Sequence, residues 1–279
     1  MAAPIADNRA LLLKLEAVQE ILHPLKRVMV AFSGGVDSTL LARIARNLLG
    51  RSQVLAVIAD SPSLGREDLA DAQATAEALD LVAAVVPTDE LDRSDYRANQ
   101  GLRCYVCKGV LFDVMAKIAE NKGYAHVLYG AIGSDVASER PGQRAAAERG
   151  VRAPLQEAGL DKEEVRQLAR FLGLPNWDKP QNACLSSRVP IGELVTAEKL
   201  RQVEEAEAAV RRLGFRQVRV RHHGSSGRLE VAVDELKRFE SEPALRGQVR
   251  EAICRAGFSE AEIDPRGYRS TGAAAGSML

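Results

Sequence analysis

Residues 28–39, Val-Met-Val-Ala-Phe-Ser-Gly-Gly-Val-Asp-Ser-Thr, constrain the fold more than any other stretch of the chain. An apolar, β-branched run from Val28 to Phe32 ends at Ser33-Gly34-Gly35-Val36-Asp37-Ser38. A helical pattern follows at once, with Leu40, Leu41, Ile44, Ala45 and Leu48 on one side. Strand, glycine turn and helix start, in that order, present unbonded backbone N–H groups to a phosphate. Gly34 and Gly35 have no Cβ, so the backbone can turn sharply and approach an anion closely. Ser33 and Ser38 add hydroxyl donors, and Asp37 is placed to hold a metal or orient the loop. The spacing matches neither the Walker loop nor the GxGxxG dinucleotide fingerprint.

The rest of the first half alternates between strand and helix patterns. Residues 8–23 form an amphipathic helix, with Leu11, Leu12, Leu15, Val18, Ile21 and Leu22 on its apolar side. Further strands are expected at 54–59, 81–86 and 126–129, with helices at 66–80 and roughly 105–121. This alternation implies an α/β fold, a parallel sheet with flanking helices. Ligands in such sheets sit outside the carboxyl ends of the strands, so the loops at 33–38, 60–65, 87–104 and 130–144 should share one face. Residues 131–160 look irregular. Asp161 with Glu164 is a capping box for a helix ending near Leu172, and Thr196 is a good N-cap for a long helix to about Leu213.

Beyond that helix the pattern changes. Val218–His223 and Arg228–Val233 both alternate, and Gly224-Ser225-Ser226-Gly227 between them is a turn, which makes a β-hairpin. A four-residue turn would set Arg221 opposite Glu230. A helix is expected at about 243–257. We place an α/β domain at 1–190, a smaller C-terminal α+β domain at 191–270 and a flexible tail at 271–279.

The chain has 279 residues, is 46% hydrophobic and 27% charged, and balances 38 basic against 38 acidic residues. Zero net charge weighs against a protein that grips a long nucleic acid. No run approaches the ~18 apolar residues of a membrane span. Met1 to Leu13 lacks a signal-peptide layout. A cytoplasmic setting follows, in which the four cysteines are better candidates for metal binding or catalysis than for a disulfide framework.

Three of those cysteines sit in suggestive surroundings. Arg103-Cys104-Tyr105-Val106-Cys107-Lys108 places a CxxC pair at a helix start, which supplies two metal ligands, a redox pair or merely two packed thiols. Cys184 lies in the polar stretch Ala183-Cys184-Leu185-Ser186-Ser187-Arg188, where Arg188 would favour the thiolate. Cys254, beside Ile253 in a helical pattern, reads as core. In the hairpin, Arg219, Arg221 and His223 share a face. That face is either a surface salt pair or a site for a phosphorylated substrate.

Residues 33–38 resemble the SGGxDS pyrophosphate loop of the PP-loop ATP pyrophosphatase superfamily, whose members split ATP between the α and β phosphates. The order of Ser33–Ser38, Arg103–Lys108, Arg140-Pro141-Gly142, Ala183–Gly192, Val203–Glu207, Val218–His223 and Gly267-Tyr268-Arg269 is more specific. Over residues 10–270 the chain resembles the LarE-type sulfur transferases, which serve the making of the nickel-pincer nucleotide of lactate racemase.

The resemblance implies a reaction and a set of residues. Mg·ATP would adenylate a carboxylate of pyridinium-3,5-biscarboxylic acid mononucleotide, and sulfur would then displace AMP to give a thiocarboxylate. Catalysis would fall to Cys184 and Asp37. ATP would be bound by Ala31, Phe32, Ser33, Gly34, Gly35, Asp37, Ser38, Asp60 and Gly130. The substrate and its metal surroundings would involve Arg188, Glu207, Arg219, Arg221 and Glu230. A homo-oligomer that binds no nucleic acid is also implied. After Gly130 the family's Thr-Asn-x-Asp-Asp-like stretch is replaced by Ala131-Ile132-Gly133-Ser134-Asp135, and only Asp135 carries over.

Of two sulfur routes, delivery through a three-cysteine cluster is the expected one. Cys104, Cys107 and Cys184 could hold a [4Fe–4S] cluster with one iron left for sulfide, which would give the CxxC pair a task. Alternatively, Cys184 alone gives up its sulfur once and becomes dehydroalanine. Other functions weighed are a tRNA thiolation enzyme, an NAD or GMP synthetase, and a non-catalytic nucleotide-binding module.

Overall fold

The computed structural model describes residues 8–133, 141–180 and 182–268. Asp135, Arg140, Arg269 and the tail at 271–279 lie outside these. The chain divides into two compact units. One comprises Met1–Tyr96 and Gly101–Asn182, and the other Arg97–Gln100 and Ala183–Leu279.

In the first unit the elements run α1 (Arg9–Leu22), β1 (Val28–Ala31), α2 (Val36–Leu49), β2 (Val54–Asp60), α3 (Arg66–Ala78), β3 (Val82–Pro87), α4 (Ser94–Ala98, shared with the second unit), α5 (Arg103–Lys122), β4 (His126–Tyr129), α6 (Pro141–Glu148), α7 (Pro154–Glu157) and α8 (Lys162–Phe171). The strands form one sheet in the order β3-β2-β1-β4, all parallel. Their carboxyl ends therefore open onto one edge, where the glycine loop, Asp60 and Gly130 lie. Strands buried on both faces need apolar residues at every position. Accordingly Val28, Met29 and Val30 are all fully buried.

Helix α8 starts where the capping box predicts, with Asp161 accepting from the Glu164 N–H and Glu164 accepting from the Asp161 N–H. Residues 141–148 and 154–157 are helical rather than irregular. The three alanines at 145–147 give α6 little hydrophobicity to read, yet Ala145 and Ala146 are buried. Those helices gain stability from packing rather than pattern.

The second unit contains a short 3-10 helix (Leu185–Arg188), then α9 (Ala197–Arg212), β5 (Val218–His223), β6 (Ser226–Val231), α10 (Arg238–Ser241), α11 (Leu245–Arg255) and β7 (Glu260–Ile263). Thr196 caps α9 through the Lys199 N–H. β5 and β6 are an antiparallel hairpin, and β7 joins β6 in parallel.

Two expectations need correction here. The hairpin turn holds two residues, Gly224 and Ser225, so Arg219 pairs with Glu230 and Arg221 with Arg228. Gly224 at φ +60° supplies the left-handed backbone that such a tight turn requires. Cys254 is exposed, not core. Leu245, Val249 and Ile253 form the buried stripe of α11, and Cys254 lies one residue past it, about 100° around the helix.

No helix among the described residues is long and apolar enough to cross a membrane.

Candidate functional site

The glycine loop is shaped from inside and braced from behind. Gly34 has φ +68°, and a Cβ there would lie 2.8 Å from Ala72 of α3, so the site accepts only glycine. Gly130 is equally constrained, because its Cβ would meet the Ser38 nitrogen at 2.7 Å. The serine hydroxyls hold the turn. Ser38 Oγ accepts from the Ser33 N–H at 3.2 Å and donates to the Gly35 carbonyl at 3.1 Å. Ser33 Oγ accepts from the Gly35 N–H at 3.3 Å. Asn176 donates to the Gly34 carbonyl at 2.9 Å and to Thr39 Oγ1 at 3.0 Å. The first-turn N–H groups of α2 have no intrahelical acceptor, and no side chain caps them. That arrangement suits a phosphate.

Asp37 is engaged by Lys162, whose Nζ lies 2.7 and 2.8 Å from its two carboxylate oxygens. The pairing crosses 125 positions of sequence and brings a cation to the loop that the motif alone does not contain. Asp60 accepts from Arg66 at 2.6 Å. Phe32 is buried and its N–H donates to the Val57 carbonyl, so its ring belongs to the core. Ala31 is half-buried at the strand end.

In the second unit, Cys184 is exposed and precedes the 3-10 helix. Its Sγ lies 3.1 Å from Ser186 Oγ. Arg188 does not face the thiol. It is buried, and its fork grips both oxygens of Glu207 at 2.7 and 2.9 Å. Its remaining nitrogen donates to the carbonyls of Ala183 at 2.5 Å and Cys184 at 2.9 Å. Arg188 thus acts on the backbone that carries the cysteine, a correction to its expected role as a thiolate-stabilising charge. Glu207 is fully buried on α9 and also accepts from the Val220 N–H and from Arg211. A buried carboxylate with this many donors is well compensated.

The hairpin supplies the other side. Arg221 binds Glu230 diagonally at 3.0–3.1 Å and donates to the Ser187 carbonyl at 2.9 Å. Arg219 is buried, donates to the Val218 carbonyl and packs over the Tyr268 ring at 5.3 Å. Burial, with Arg188 nearby, pushes the Arg219 guanidinium below its ordinary pKa. Four guanidiniums (Arg188, Arg211, Arg219 and Arg221) stand around two carboxylates, Glu207 and Glu230. Guanidinium forks suit a phosphate ester, while those of Arg188 and Arg221 are engaged by carboxylates and carbonyls here.

The three cysteines expected to hold a [4Fe–4S] group are divided between the two units. Cys104 and Cys107 sit on the first turns of α5 in one unit, and Cys184 lies in the other. Among the described residues, no group of three or more His, Cys, Asp or Glu side chains could hold a metal ion.

Sequence reasoning missed Lys162, Asn176, Arg211 and the carbonyl grip of Arg188 and Arg221. For Lys162 and Asn176 no local signal exists, since each works only across long sequence separations.

The chain is similar to several known proteins. Residues 11–102 match the family model described as NAD synthase. An uncharacterised protein of Synechocystis is 44% identical over 92% of this chain and 95% of its own. The pyridinium-3,5-bisthiocarboxylic acid mononucleotide synthase of Lactiplantibacillus plantarum is 38% identical over 89% of each chain. A Methanocaldococcus jannaschii protein is 26% identical over 88% of this chain.

Proposed function

The chain belongs to the LarE-type family of pyridinium-3,5-bisthiocarboxylic acid mononucleotide synthases, and from that premise we propose that it is an ATP-dependent sulfur transferase acting on the biscarboxylic acid mononucleotide. The observation that carries this reading is the grip of Arg188 on the Ala183 and Cys184 carbonyls, which fixes the backbone that presents an exposed cysteine.

A carboxylate is a poor electrophile. Its oxygen attacks the α-phosphorus of Mg·ATP, pyrophosphate leaves, and the acyl-adenylate now has AMP as leaving group. The glycine loop and the α2 N-terminus would hold the phosphates. Lys162 and Asp37 would divide the work of charge balance at the loop, with Asp37 turning to the magnesium that accompanies ATP. Arg219 and Arg221 would hold the phosphate of the mononucleotide.

The Cys184 thiolate then attacks the acyl carbon and AMP departs with its oxygen, leaving a thioester. Loss of the Cys184 Cα proton breaks the Cβ–Sγ bond. The thiocarboxylate leaves with the sulfur, and dehydroalanine remains. The chain's own cysteine supplies the sulfur, so one transfer consumes one protein. A [4Fe–4S] route through Cys104, Cys107 and Cys184 would instead turn over repeatedly.

Pyrophosphate release tests the first half. It should require both ATP and the mononucleotide, and should be insensitive to added tRNA. Release driven by tRNA would favour a tRNA thiolation enzyme, and no release would favour a non-catalytic module.

A further inference from the structure

We propose that Asn99 is a positioning residue for the Cys184 loop, acting through a strap formed by residues 97–100. Although these four residues lie between two segments of the first unit, they pack as part of the second. The strap begins as α4 ends, and Asn99 takes the left-handed conformation, φ +53°, that asparagine adopts readily at a helix C-terminus.

The Asn99 side chain is fully buried, and its Nδ2 faces three carbonyl oxygens: Pro190 at 2.6 Å, Glu193 at 3.0 Å and Val189 at 3.4 Å. Three acceptors around one nitrogen fix the amide orientation, because an oxygen there could donate to none of them. The backbone adds two bonds. The Gly192 N–H donates to the Asn99 carbonyl at 3.0 Å, and the Val195 N–H donates to the Arg97 carbonyl at 2.9 Å.

The segment gripped in this way, 189–195, directly follows Arg188. The Cys184 loop is therefore held at one end by the Arg188 guanidinium, on the carbonyls of 183 and 184, and at the other by Asn99. Without Asn99, Pro190 to Glu193 would keep only backbone ties to the strap, and residues 184–188 would depend on Arg188 and on the Arg221 bond to the Ser187 carbonyl. The strap also runs, four residues later in sequence, into Cys104 at the start of α5. Displacement of a reacting atom by about 1 Å is enough to cost about a hundredfold in rate.

This inference rests on the reading of Cys184 as the sulfur-transfer residue. Two variants test it. Asn99→Asp keeps the shape but cannot donate, and Asn99→Gly keeps the left-handed backbone but removes the amide. In both, mononucleotide-dependent pyrophosphate release should stay within about twofold of wild type, and thiocarboxylate formation should fall by about tenfold or more. Independently of activity, the rate of Cys184 alkylation by iodoacetamide, followed by peptide mass spectrometry, should rise by about fivefold as the loop loosens. Parallel loss of both half-reactions in both variants overturns the proposal, as does an unchanged alkylation rate. If Cys184→Ala still makes thiocarboxylate, the sulfur reading fails, and the alkylation rates of the Asn99 variants still report whether Asn99 fixes the loop.

Discussion

Lys162 Nζ lies 2.7 Å and 2.8 Å from the two carboxylate oxygens of Asp37, tying the first residue of α8 to the first turn of α2. Both side chains are partly exposed, so the pair adds at most about 1 kcal/mol to stability. Its value is positional, since it sets an ammonium and a carboxylate beside the glycine loop. Lys162→Met should leave the melting temperature within a few degrees of wild type, and should slow pyrophosphate release by about tenfold or more. Asp37→Ala should abolish magnesium-dependent release. Unaltered release in either variant would remove that residue from the nucleotide chemistry.

Arg219 lies in the second unit, away in sequence from the glycine loop. Alanine at this position should raise the KM for the mononucleotide and leave that for ATP nearly unchanged. Loss of a charge-assisted hydrogen bond costs about 1.5–3 kcal/mol, roughly a tenfold to hundredfold change. Steady-state kinetics with each ligand varied in turn checks this. Equal effects on the two ligands would mean that Arg219 does not read the substrate's phosphate.

Arg188 and Glu207 are each about 1% exposed and meet in a bidentate pair. Glu207→Gln leaves a buried guanidinium without its countercharge, and should destabilise the second unit by about 3–5 kcal/mol. Replacing both partners with apolar residues, Arg188→Met with Glu207→Leu, should cost less stability but still eliminate sulfur transfer. Denaturant unfolding of the three proteins gives the comparison. Equal stability of wild type and Glu207→Gln would contradict the buried-pair account.

The polar framework within the second unit was only partly legible in the sequence. Gly34, the β1 run and the Asp161–Glu164 capping box were readable because each depends on neighbours within a few residues. The helical stripe of α9 and the alternation of β5 were readable for the same reason. The hairpin register was not, because glycine and serine fit turns of either length. Arg188 was singled out as a charge near a thiol, whereas its partners are a carboxylate 19 positions away and two backbone carbonyls. Backbone acceptors leave no trace in side-chain composition. Asn99 and Lys162 were invisible for the same reason, since their partners come together only once the chain is folded.

His222 is buried against Phe258, with Nε2 3.1 Å from Gln202 Oε1. Burial, with Lys199 nearby, holds its pKa below the ordinary 6.5. As pH falls through that ordinary value, the unfolded chain takes up the proton first, so this residue's contribution to stability declines until the lower folded pKa is reached. The melting temperature should therefore drop as the pH falls through about 6.5, and His222→Gln should flatten part of that drop. An identical pH profile in the variant would show that His222 contributes nothing to it.

The most direct test of sulfur transfer through Cys184 is the mass of the protein after turnover. Anaerobically purified protein is incubated with Mg·ATP and pyridinium-3,5-biscarboxylic acid mononucleotide, and intact mass and Cys184 peptide mass are recorded alongside the product. The account predicts that each thiocarboxylate formed matches one chain in which Cys184 has lost the mass of hydrogen sulfide, and that Cys184→Ser releases pyrophosphate but makes no thiocarboxylate. Thiocarboxylate formed over many turnovers with Cys184 intact, in protein carrying iron and sulfide that is lost in Cys104→Ala and Cys107→Ala, would contradict it.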